Sequence, residues 1–89
     1  MGKTDAQTTD MTLDQLNIGE QAVIERYLGS GDLHGRLKEL GLVRGTHVFL
    51  ARTAPLGDPI EVVVRGYHLA IRKKDAAQIV VSKVKDRGQ

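Results

Sequence analysis

Residues Arg36 to Ile60 read RLKELGLVRGTHVFLARTAPLGDPI, and this stretch decides the fold. Leu33, Leu37 and Leu40 recur at spacings of four and three, which puts them on one face of a helix. Gly41 stands where the chain must leave that helix through positive φ, a conformation glycine adopts without a Cβ penalty. The Schellman arrangement then folds Leu42 back onto Leu37. Val43-Arg44-Gly45-Thr46 reads as a type II turn with Gly45 at its positive-φ position. Thr46 to Arg52, β-branched and apolar, reads as a strand in which Phe49 is core. Ala54-Pro55-Leu56-Gly57 fits a type I turn, and Asp58, preceding Pro59, is extended.

Working outward, Leu13, Leu16 and Ile18 are the first apolar anchors, and Asn17 to Glu20 repeats the glycine-turn logic at Gly19. Gln21 to Leu28 is a predicted strand, with Ala22, Ile24 and Leu28 on one side and Val23 and Tyr27 on the other. Asp32 caps the helix that follows, and Gly35 weakens it by about 1 kcal/mol relative to alanine. Ile60–Arg65 and Tyr67–Arg72 flank a tight bend at Gly66, a hairpin signal; Ile60, Val62 and Val64 share one face, Leu69 and Ile71 another. Lys73 to Gln78 makes one helical turn and Ile79 to Val84 a last strand. The chain is thus mostly β: a small, partly open barrel of about five strands with one inserted short helix and a short C-terminal helical turn. Residues 1–10 and 86–89 read as tails around a domain at 11–85.

The composition narrows function. With 89 residues the chain is one domain, and with no cysteine it has neither disulfides nor thiolate metal sites. No apolar run reaches the roughly 18 residues that span a bilayer, and the N-terminus carries no signal-peptide core, so a cytoplasmic location is expected. Gly29-Ser30-Gly31 is too short, and lacks the lysine, to cradle a phosphate. No serine, histidine and carboxylate constellation is proposed; an enzyme, a cofactor and a small-molecule substrate are not expected. His34, His47 and His68 lie 13 and 21 residues apart, without the short spacing that chelates from one element. A strand histidine and a hairpin histidine still leave a metal sensor or carrier as one reading.

The formal charge is +2, unevenly spread. From Arg65 to Arg87 seven basic residues face two acidic ones, among them Arg72, Lys73, Lys74, Lys83 and Lys85. That run is either a solvated edge that discourages sheet aggregation or a surface for nucleic acid or another anion. Tyr27, Phe49 and Tyr67 are the only aromatic side chains, few for base stacking or for gripping proline-rich peptides. Leu56, between Pro55 and Gly57, is either buried by the loop folding back or held out as a docking knob.

The helix end Leu40-Gly41-Leu42, the APLGDPI loop, the RGYHLAIRK hairpin and the closing Ala-Ala-Gln-Ile together resemble the FeoA-type ferrous iron transport proteins, over about Leu13 to Val84. The resemblance implies an SH3-like barrel with an inserted helix. It implies a cytoplasmic accessory or regulatory protein of iron uptake that binds the cytoplasmic part of FeoB, a membrane transporter with its own GTPase domain. On that footing Pro55, Leu56, Gly57, Asp58, Arg36 and Arg44 are the expected partner contacts. Where the family often has a pair of arginines, Gly35 replaces the first and Arg36 keeps the second; where it often has proline before Gly45, this chain has Arg44.

Overall fold

The computed structural model describes residues 11–29 and 31–84. Its elements are β1 (Met11–Thr12), a 3₁₀ turn (Leu13–Gln15), β2 (Gln21–Tyr27), α1 (Asp32–Glu39), β3 (His47–Thr53), β4 (Ile60–Val64), β5 (Tyr67–Ile71), α2 (Lys73–Ala76) and β6 (Ile79–Lys83). The strands pair antiparallel in the order β1-β6-β2-β3-β4-β5. The sheet does not close on itself, and β1 and β5 are its edges among the described residues. This is the expected partly open, mostly β architecture with one strand more, because Met11 and Thr12 pair with Val81 and Val80.

Alternation writes the core. Ile60, Val62 and Val64 of β4 are buried, as are Val48 and Leu50 of β3 and Ala22 and Ile24 of β2. Leu13, Leu42 and Ile79 close the ends, and no polar or charged side chain is buried with them among the described residues. A stripe of this kind supplies the apolar burial that drives a small sheet to fold.

The helix ends as its sequence requires. Gly41 has φ +102°. The Leu42 N–H donates to the Leu37 carbonyl at 3.1 Å and the Gly41 N–H to the Lys38 carbonyl at 3.0 Å, the two bonds of a Schellman motif. Leu37 and Leu42 are buried and Leu40 packs against the core; of Leu33 only the backbone is described. The glycine turns also form: the Glu20 N–H donates to Asn17 at 3.0 Å and the Thr46 N–H to Val43 at 3.0 Å.

Four expectations are corrected. Asp32 is the first residue of α1 and not its cap; Gly31 takes the cap position and supplies no side-chain bond, so Asp32 serves the positive helix terminus by its charge. A β-bulge between Ile24 and Arg26 shifts the register of β2 against β6. The extra residue turns Tyr27 inward against the core and leaves Leu28 exposed, reversing the faces read from strict alternation. Phe49 pairs with Val63 and points outward between buried Val48 and Leu50, so it is exposed and not core. Ile18 is 61% exposed, because it sits at the tip of the Asn17–Glu20 turn.

Candidate functional site

The loop between β3 and β4 is tied at its feet. The Gly57 N–H donates to the Ala54 carbonyl at 2.7 Å, and the Ala54 N–H to the Pro59 carbonyl at 2.9 Å. Gly57 has φ +89°, which fits its place as the residue closing the turn. A third tie comes from outside the loop: the Asp58 carboxylate accepts the backbone N–H of Lys73 at 2.9 Å, anchoring the loop to the start of α2. The side chain held up by these three ties is Leu56, 96% exposed. The reading in which the loop folds back and buries it does not hold. An apolar side chain on a scaffold fixed this way loses little conformational freedom when it meets a partner.

Beside the loop lies a groove of about 290 Å³ lined by Arg52, Ala54, Pro55, Pro59, Glu61 and Ala70, among others. Glu61 organises its polar wall. The Arg52 Nε donates to its carboxylate at 2.9 Å, and His68 Nδ1 bonds its other oxygen. Arg52, and after it His68, hold the Glu61 carboxyl below the usual glutamate range. Arg52 and His68 are exposed and Glu61 is half-buried, so the network fixes geometry more than it stabilises the fold.

The six residues expected to contact a partner do not gather in one place. Pro55, Leu56, Gly57 and Asp58 sit at one end of β3. Arg44 lies in the turn at its other end, about 23 Å away along seven strand residues, and Arg36 is exposed on α1, the helix leading into that turn. Of the basic run, Arg72, Lys73 and Lys74 are exposed at the loop end. Lys83 is paired with Glu20 at 2.7 Å on β6, and Lys85 lies outside the described residues. The Lys83 ammonium, with the Asn17 N–H second, lowers the Glu20 carboxyl.

The histidines are dispersed. His34 packs its ring 4.7 Å from that of Tyr27, His47 is exposed, and His68 is engaged by Glu61. Among the described residues no group of three or more histidines and carboxylates is placed to hold a metal ion. No described helix is long and apolar enough to cross a membrane.

The sequence reading names His68 only as a possible metal ligand and does not reach Arg52 and Glu61. Their signal lies in the hairpin register: once Val64 faces Tyr67, Glu61 falls opposite Ala70 and beside His68, while Arg52 faces it from β3.

Comparison with known proteins bears on the fold. Residues 11–83 match the family model described as the FeoA domain. A Porphyromonas gingivalis fusion of Fe(2+) transport protein A with the Fe(2+) transporter FeoB is 39% identical over 71 residues, covering 80% of this chain and 8% of the fusion. The chain thus spans under a tenth of that curated relative. The solution structure of Chlorobium tepidum FeoA superposes with a TM-score of 0.79 at 39% identity, covering 88% of this chain and 75% of the other. The crystal structure of Stenotrophomonas maltophilia FeoA with zinc, described as a prokaryotic SH3 domain protein, gives 0.72 at 33% identity over 81% of this chain and 89% of the other.

Proposed function

The chain belongs to the FeoA domain family, and from that premise we propose that it is a cytoplasmic accessory protein of ferrous iron uptake whose 54–59 loop docks on the cytoplasmic part of a FeoB-type GTPase transporter. The observation that carries the reading is Leu56, 96% exposed on a loop held by three hydrogen bonds. The physical joining of the two proteins in the Porphyromonas relative supports the choice of partner. In this role the protein performs no chemistry. It binds, and its effect is exerted on the transporter.

Asp58 has a supporting part, since its carboxylate is engaged by Lys73 and holds the loop in shape. Leu56 supplies the apolar anchor. Arg36 and Arg44, at the other end of β3, contribute charge where the partner's footprint extends along that strand.

Burying a leucine side chain is worth about 1.5–3 kcal/mol, or roughly ten- to a hundredfold in affinity. Leu56→Asp forfeits this and adds a charge that the interface must desolvate. The test is calorimetric titration of the variant against the purified cytoplasmic part of FeoB, beside iron-uptake assays in cells lacking the native protein. The expected result is at least tenfold weaker binding and reduced uptake, with the thermal midpoint unchanged because the side chain is out in solvent. Binding and uptake equal to those of the parent would remove the loop from the interface.

A further inference from the structure

The hairpin of β4 and β5 fixes which way each backbone group of β5 points. Arg65 has φ +52° and Gly66 φ +87°, the signature of a two-residue type I′ turn. Such a turn makes the flanking residues, Val64 and Tyr67, a hydrogen-bonded pair. Bonded and non-bonded pairs then alternate along an antiparallel ladder. Val62–Leu69 and Ile60–Ile71 are therefore bonded, whereas Val63–His68 and Glu61–Ala70 are not. The N–H and C=O groups of His68 and Ala70 point away from β4, toward the side where no described strand lies. Both residues are exposed.

Natural sheet edges are usually blunted by a bulge, a proline, a central lysine or brevity. The opposite edge, β1, has two described residues. β5 is not blunted in any of these ways. Its five residues, YHLAI, hold no proline, lysine or arginine, and their register with β4 is unbroken. The charge stands at the ends: Arg65 before the strand, and Arg72, Lys73 and Lys74, all exposed, after it. The nearby acids are already engaged or set back. Glu61 is bound by Arg52 and His68, Asp58 accepts the Lys73 N–H, and Asp75 is half-buried in α2.

We infer that the β5 edge, between Arg65 and the Arg72–Lys74 cluster, accepts an extended acidic segment of a partner protein as a seventh strand. Backbone bonds to His68 and Ala70 supply the pairing, and the cations at each end choose acidic flanks. The groove lined by Ala70, Pro55 and Pro59 receives a side chain of the incoming strand. A second copy of this chain is a poor occupant: a two-fold pairing centred on Leu69 sets Arg65 across from Lys73. The groove borders the 54–59 loop but Leu56 does not line it, and Leu56→Asp alters neither the His68 and Ala70 backbone nor the Arg72–Lys74 cluster, so the two readings fail independently.

The probe is a capped octapeptide of alternating glutamate and valine, with its lysine–valine counterpart as control, titrated into the nitrogen-15-labelled full chain. At a free concentration of about nine times its dissociation constant, the acidic peptide is expected to slow exchange of the His68 and Ala70 amides on the order of tenfold. It should leave the already bonded Leu69 amide nearly unchanged and weaken as salt is raised. Ala70→Pro removes an outward N–H without removing a ladder bond and should abolish the effect. Should that variant not fold, the double variant Arg72→Glu, Lys74→Glu decides, by losing most of the affinity. No protection at millimolar acidic peptide, equal protection by the lysine peptide, or protection of the same amides by self-association alone would overturn the proposal.

Discussion

Alanine at Gly41 and alanine at Gly35 should move stability in opposite directions. Gly41 holds φ +102°, and a Cβ built there comes within 2.7 Å of the Arg65 Cδ. Left-handed backbone costs a residue with a side chain roughly 1–2 kcal/mol. The Arg65 contact adds less, because the far part of a flexible side chain can swing aside. At 4–8 °C per kcal/mol for a domain of this size, Gly41→Ala should lower Tm by roughly 5–15 °C. Gly35 sits inside α1 with nothing within 4 Å of an added Cβ and no positive φ. There alanine only trims the freedom of the unfolded chain, and Tm should rise by roughly 2–8 °C, for about 0.5–1 kcal/mol. Differential scanning calorimetry of the two variants settles it. Repeating Gly41→Ala in an Arg65→Ala background should recover only the smaller, steric part. A Gly41→Ala variant as stable as the parent, or full recovery in the double variant, would refute the argument that backbone conformation dominates at this helix end.

Two further outcomes follow from contacts described above. Asp58→Ala removes the acceptor of the Lys73 N–H and should cost about 1 kcal/mol, with faster exchange of that one amide, while Asp58→Asn should retain most of the protection. Burial pushes the Tyr27 hydroxyl up to about 12, against about 10 in an unfolded chain. A group raised in this way keeps its full contribution below about pH 10 and loses it as pH climbs toward 12, because the unfolded chain ionises first. Urea midpoints measured across that window should fall, and Tyr27→Phe should flatten the fall.

Legibility in the sequence followed the range of the interactions. The helix end, the glycine turns and the hairpin bend are set by a few adjacent residues, and Gly41, Gly45 and Gly66 announced them. The bulge at Glu25 is a count of two residues against one on another strand, which a single segment does not contain; hence Tyr27 and Leu28 were placed on the wrong faces. Phe49 was open to correction from the sequence itself. The alternation that buries Val48 and Leu50 sends it outward, but its apolar character outweighed its position. For the candidate site, the proline and glycine marked the loop and Leu56 its tip. That Asp58 is engaged by Lys73, fifteen positions away, and that Arg44 and Leu56 stand at opposite ends of β3, are facts of the assembled sheet.

The pairing of Met11 with Val81 brings the first and last described strands side by side at one margin of the molecule. Residue 11 therefore lies two positions along the pair from residue 83, at the same end of these two strands. The same proximity makes the fold suited to circular permutation: a short linker across the clasp of β1 and β6, with new ends opened in the exposed Asn17–Glu20 turn, should yield a chain that closes the same sheet.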